Sequence, residues 1–203
     1  MIAHRTVLDY LRSISNPKLR DQYVALHEAN PFYNSVCAGA QHHHWWLGGL
    51  ADHVGEMIEF CLEMLHWQGA DLRNITEDDI IIACYLHDFA KIWTYTPLTD
   101  FERGANPEKY FPRQQFMRRP GVSFDIVDEE SQTLLYLARN GIIPTEQQWS
   151  AVLFAEGGWS AANFDYGRTS YTSETVMSSN PLAVLVHMAD LFSSQVLGKR
   201  LKA

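Results

Sequence analysis

The chain has 203 residues, a net charge of −8 and 46 % hydrophobic side chains, which suits one domain, or one domain with an insertion, around a substantial core. The acidic balance argues against a broad electrostatic grip on duplex nucleic acid, and no apolar stretch is long enough to span a bilayer. Cys37, Cys61 and Cys84 form neither a zinc-binding spacing nor a disulfide framework, and the N-terminus lacks the layout of a signal peptide, so the expectation is a reduced, cytoplasmic protein.

Residues 4–14 and 17–29 read as short amphipathic helices, broken near Ser15-Asn16-Pro17; Asn30-Pro31 ends the second. Residues 31–44 read as a loop closing on His42-His43-His44. A long helix is predicted over 46–67, where Trp46, Leu50, His53, Met57, Cys61 and Met64 recur at three- and four-residue steps and make one inward stripe. Thr76 and Asp79 form a capping box opening a helix to about residue 89. Lys91-Ile92-Trp93-Thr94-Tyr95-Thr96 reads as a short strand. Residues 97–121, with prolines at 97, 107, 112 and 120, read as an inserted loop or irregular hairpin. Residues 124–139 read as a helix, and Thr145 with Gln148 caps another to about 155, stopped by Gly157-Gly158. Residues 159–173 read as a polar, aromatic loop, and its exposed aromatics are candidates for a homo-oligomer interface. Asn180-Pro181 starts a last helix to about 197, with Ala183, Val186, Asp190 and Leu197 on one face. The sum is an all-α chain with one irregular or β-hairpin insertion around 91–120.

One juxtaposition carries chemistry. Ile80-Ile81-Ile82-Ala83-Cys84-Tyr85-Leu86 reads as a buried run, and His87-Asp88 sits at its end. Burying a carboxylate and an imidazole costs several kcal/mol unless something compensates both. A divalent metal does so, because it takes imidazole nitrogen and carboxylate oxygen together. His53 and Asp190 lie on the inward faces of their own helices and complete a candidate set of four: His53, His87, Asp88 and Asp190. The basic residues Arg103, Lys109, Arg113, Arg118 and Arg119 gather in the insertion, with Lys91 just upstream, as a local cluster suited to a small anion or to a solvated loop.

These residues resemble a known family. Leu86-His87-Asp88-Phe89-Ala90-Lys91 is similar to the HD-domain signature LHDxxK, and His43-His44-Trp45-Trp46-Leu47-Gly48-Gly49-Leu50-Ala51-Asp52-His53 is similar to the HH…GGLLEH stretch ahead of it. Residues 181–190 resemble the closing helix that carries the last aspartate. The likeness extends to the HD module of bacterial 3′–5′ exoribonucleases and to compact phage HD enzymes that hydrolyse deoxynucleoside triphosphates. It implies an all-α HD bundle, metal ligation by His53, His87, Asp88 and Asp190, and a phosphate contact for Lys91. No histidine lies between His87 and His187, and Phe154-Ala155-Glu156-Gly157-Gly158 stands where the exonuclease pattern carries His-His-Gly. That departure favours one metal over two, with Glu156 the candidate general base.

The resulting expectation is a metal-dependent phosphohydrolase attacking a deoxynucleoside tri- or monophosphate with metal-bound water. The metal is one of Mn, Mg, Co, Fe or Zn. Arg113, Arg118 and Arg119 are the candidate phosphate contacts, and His43, His44, Trp46 and Tyr95 are further candidate substrate contacts. The alternatives are a 3′–5′ exonuclease acting on short single-stranded nucleic acid, a cyclic-oligonucleotide phosphodiesterase, and a nucleotide-binding sensor module without turnover.

Overall fold

Local capping chemistry sets most of the helix starts. A computed structural model of the chain describes residues 5–67, 72, 74–121, 129–155 and 180–198. Thr6 and Asp9 cap α1 (Val7–Arg12) reciprocally, and Asn16 accepts from Lys18 and Leu19 N–H to open α2 (Pro17–Glu28) with proline at its first position. A single 3₁₀ turn, Pro31–Asn34, follows within the stretch expected to be loop. α3 runs from Gly49 to Leu65, three residues later than the pattern suggests, because Gly48 at φ 81° turns the chain into the helix. Trp46 therefore precedes the helix and does not belong to its inward stripe.

α4 (Glu77–His87) starts at the Thr76–Asp79 box and is the centre of the molecule. Every residue from Ile80 to His87 is buried, as expected of a helix that is apolar all round. Each fully buried isoleucine of this run contributes about 1.5–3 kcal/mol. α4 packs on α3, on α8 (Glu146–Leu153, opened by the Thr145–Gln148 box) and on α9 (Pro181–Phe192, capped by Asn180); α9 also lies against α3 and α8. α1 and α2 pack on each other, and α1 also lies against α3 and α4. The described residues are mostly helical.

The segment after α4 departs from the strand expected over 91–96. Lys91–Thr94 is a helical turn, α5, because Lys91 N–H reaches the Asp88 carbonyl and the Thr94 N–H and hydroxyl both return to the Ala90 carbonyl. Extended structure begins only at β1 (Tyr95–Pro97), which pairs antiparallel with β2 (Phe116–Arg118) in the register Tyr95↔Arg118, Thr96↔Met117 and Pro97↔Phe116. Between them the expected loop contains a helix, α6 (Asp100–Ala105), capped by Thr99 and Glu102. Among the described residues this pair is the whole sheet content. α7 spans Glu129–Arg139, and the start expected at 124 lies outside the described residues. The last helix is α-helical only to Phe192; Ser193–Leu197 widens into a π turn. No described helix is long and apolar enough to cross a membrane.

Candidate metal centre

Three helices bring His53, His87 and Asp88 together, with Asp190 beside His53. His53 comes from the inner face of α3, His87 from the last turn of α4, Asp88 from the residue that ends α4, and Asp190 from α9. His53 Nε2 is 3.3 Å from His87 Nε2, 3.2 Å from Asp190 Oδ1 and 3.8 Å from Asp88 Oδ2. His87 Nε2 is 3.6 Å from the same Asp88 oxygen. His53 is fully buried and His87 nearly so. His53, His87 and Asp88 offer ligand atoms close enough together to hold one ion.

The hydrogen bonds determine which nitrogens carry protons. His87 Nδ1 is 2.7 Å from the Cys84 carbonyl, which can only accept, so Nδ1–H donates and the Nε2 lone pair points inward. The Glu56 carboxyl is held below its ordinary value: burial works against this, but contacts with His44 and Ser193 prevail. An ionised Glu56 accepts the Ser193 hydroxyl proton at 2.6 Å. Ser193 Oγ, its one proton spent, accepts from His53 Nδ1–H at 2.9 Å. His53 Nε2 therefore also turns a lone pair inward. Two lone pairs and two carboxylates face one another, an arrangement that calls for a cation between them. Burial, the larger influence, pushes the His53 imidazole below its ordinary value against the pull of Asp190 and Asp88, so a second proton on His53 is the disfavoured way to supply that charge. The donor set, nitrogen and oxygen without sulfur, fits a borderline or hard divalent ion.

Lys91 supplies positive charge at the rim. Its Nζ is 3.6 Å from Asp88 Oδ1 and 2.8 Å from Glu129 Oε2. Burial works against its charge, but Asp88 and Glu129 outweigh it and keep the ammonium charged. Burial likewise opposes ionisation of Asp88, and Lys91 followed by the neighbouring histidines holds that carboxyl well below its ordinary range. Glu129 also accepts from Arg118 at 3.1 Å, so one carboxylate of α7 ties Lys91 to the β2 strand.

His43 and His44 stand beside this set. Their rings lie 5.0 Å from that of His53, and their Nδ1 atoms face each other at 3.1 Å. His43, His44 and His53 form a second group with ligand atoms close enough for an ion. Burial, with the neighbouring His53, lowers the His43 imidazole to about 3.

A cavity of about 670 Å³ opens over the centre, lined by His43, His87, Asp88, Lys91, His187 and Asp190 among others. A second cavity of about 260 Å³ adjoins it, with His42 in the wall of both. Tyr95, Lys109, Tyr110 and Arg118 line this second space, and the Tyr95 ring centroid is 5.9 Å from Lys91 Nζ. Tyr95 and Arg118, two of the expected substrate contacts, thus sit next to the centre. Arg113 and Arg119 are exposed and line neither cavity. Trp46 faces a different cavity with Arg5 and Glu59, and its indole N–H donates to Asp52. Glu156 lies outside the described residues.

Several contributing residues escape sequence reading. Glu56 follows His53 by three positions on the same helix, a spacing that places both on one face. His187 precedes Asp190 by three on α9 and donates from Nδ1 to the Ala155 carbonyl at 2.7 Å. Ser193 and Glu129 carry no local signal at all; their roles come from contacts between distant segments. No protein-family model matches the chain, and no curated protein or solved structure compared with it matches either.

Proposed function

We propose that the chain is a metal-dependent phosphohydrolase of the HD superfamily acting on a small nucleotide, a deoxynucleoside tri- or monophosphate. The observation that carries this reading is the convergence of inward lone pairs of His53 and His87 with the carboxylates of Asp88 and Asp190. These four would hold a divalent ion. Such an ion, when bound, supplies Lewis acidity toward phosphate oxygen and lowers the pKa of water.

The protein's own groups supply the rest. Burial opposes ionisation of Asp88 and Asp190, but neighbouring Lys91 and the histidines hold the first, and His53 the second, below the ordinary carboxylate range, so both offer charged oxygens. Lys91, kept charged beside Asp88, offsets negative charge that gathers on phosphate oxygens during transfer. The nucleoside end fits the adjoining cavity, where Tyr95 and Tyr110 offer ring faces and Lys109 and Arg118 offer cationic donors. A cavity of about 260 Å³ has room for one nucleoside.

The test is hydrolysis of a panel of deoxy- and ribonucleoside mono- and triphosphates and a short single-stranded RNA with Mn²⁺ or Co²⁺, against a His87→Ala/Asp88→Ala control. Turnover of nucleotides but not RNA, lost in the control, supports the reading. Turnover of RNA alone replaces it with an exonuclease. Binding of nucleotide without turnover under any metal replaces it with a sensor module.

A further inference from the structure

We propose that Glu56 is the positioning residue of this centre, a single carboxylate that sets the proton position of two histidines and thereby aims their free nitrogens. The inference rests on the metal-centre reading and not on the choice of substrate.

Two hydrogen-bond paths end on the same oxygen. His44 Nε2 lies 3.0 Å from Glu56 Oε2, and Ser193 Oγ lies 2.6 Å from it. Through Ser193 the second path continues to His53 Nδ1 at 2.9 Å. A carboxylate can only accept. His44 must therefore carry its proton on Nε2, leaving Nδ1 free toward His43, and His53 must carry its proton on Nδ1, leaving Nε2 free toward His87, Asp88 and Asp190. The outer hydrogen bond of a ligating histidine orients the ring and selects the ligating nitrogen. Here one glutamate does this for two rings that come from a loop and a helix.

The surrounding backbone is built to keep these groups in place. Ser193 opens the π turn, whose wider step follows the α-helix that presents Asp190; π turns of this kind concentrate at functional sites. His44 has φ 44°, a left-handed conformation rare for a side-chain-bearing residue. Two glycines make room for it. A Cβ on Gly49 would run into the His44 carbonyl oxygen, and a Cβ on Gly198, just past the π turn, would fall 2.5 Å from His44 Nδ1. Glu56 itself is partly open, lining a cavity that it shares with Trp46.

The experiment measures Mn²⁺ binding by calorimetry and histidine ring ¹⁵N shifts on the whole chain, for wild type, Glu56→Ala, Glu56→Gln and Ser193→Ala. Glu56→Ala should weaken Mn²⁺ about 10–100-fold. Its metal-free ¹⁵N spectrum should show His53 changing from Nδ1–H alone to a mixture of both tautomers. Glu56→Gln, whose amide oxygen still accepts, should recover most of the affinity. Ser193→Ala should perturb His53 and spare His44, and it carries the test if Glu56→Ala fails to fold. A merely structural role would lower the melting temperature with the tautomers unchanged. Wild-type affinity and tautomers in both Glu56→Ala and Ser193→Ala would overturn the inference and leave the metal centre standing. Absence of Mn²⁺ binding to the wild-type protein would overturn both.

Discussion

His53 Nε2 and His87 Nε2 face each other at 3.3 Å, each with its other nitrogen committed to an outward hydrogen bond. With both rings neutral, the two Nε2 lone pairs oppose each other. Positive charge shared between the pair and the two aspartates relieves that opposition, which makes cation binding the first property to measure.

Divalent metal should stabilise the fold. A ligand at one hundred times its dissociation constant contributes about 2.7 kcal/mol, which in a chain of this size is a rise of roughly 5–10 °C in melting temperature. The wild type should show this rise on Mn²⁺ addition and lose it on chelation. His87→Ala and Asp190→Asn should show little of it. An equal rise in His87→Ala would place the bound ion elsewhere.

Lys91 is predicted to hold the rim together through its charge. Lys91 and Glu129 side chains are 14 % and 15 % exposed, and Asp88 is equally enclosed. Lys91→Met takes the shared cation from two largely enclosed carboxylates and leaves Glu129 only the exposed Arg118, a loss on the order of 3–5 kcal/mol. Removing Glu129 as well, in Lys91→Met/Glu129→Leu, should recover part of it. Urea unfolding midpoints of the two variants decide; equal midpoints would mean that Lys91 and Glu129 are not coupled.

Two glycines of α3 should respond oppositely to alanine. Gly49→Ala drives a methyl into the His44 backbone, which has no flexible end to yield, and should cost about 1–3 kcal/mol or more. A Cβ on Gly55 meets nothing within 4 Å, so Gly55→Ala should gain about 0.5–1 kcal/mol from the unfolded chain's lost freedom. Thermal or denaturant unfolding of the pair reads both signs in one experiment.

Acid should weaken the fold through His27. This buried ring accepts from Asn34 at 2.9 Å, its Nδ1 has no partner among the described residues, and burial holds it below its ordinary value of 6.5. Above that value both folded and unfolded states carry it neutral, and full stability is present. As pH falls through about 6.5 the unfolded chain takes up a proton that the folded chain refuses, so stability drops until the lower folded value is reached. His27→Gln should flatten the stability curve just below about pH 6.5, where this ring adds a slope of at most about 1.4 kcal/mol per pH unit. An unchanged slope would show that His27 titrates alike in both states.

Helix starts were legible wherever the signal is local. The Thr76–Asp79 and Thr145–Gln148 boxes and the Asn180-Pro181 cap sit within a few residues of the backbone groups they satisfy, and each opens a helix in the structure. The Thr99–Glu102 box is equally local, yet the prolines around it made α6 read as loop. The inward positions of His53, His87 and Asp190 followed from helical periodicity and the all-apolar run of α4. Their meeting at one point did not, because periodicity gives a face and not a distance. Trp46 fell off its expected stripe when Gly48 took a left-handed conformation and delayed α3. Only the tertiary structure brought Ser193 to Glu56 and Glu129 to Lys91, because a hydrogen bond between distant segments leaves no pattern in either segment. The sequence by itself determined which groups were available to hold a cation. The packing of α3, α4 and α9 decided which nitrogens carry protons, since that depends on the partner each ring finds across the fold.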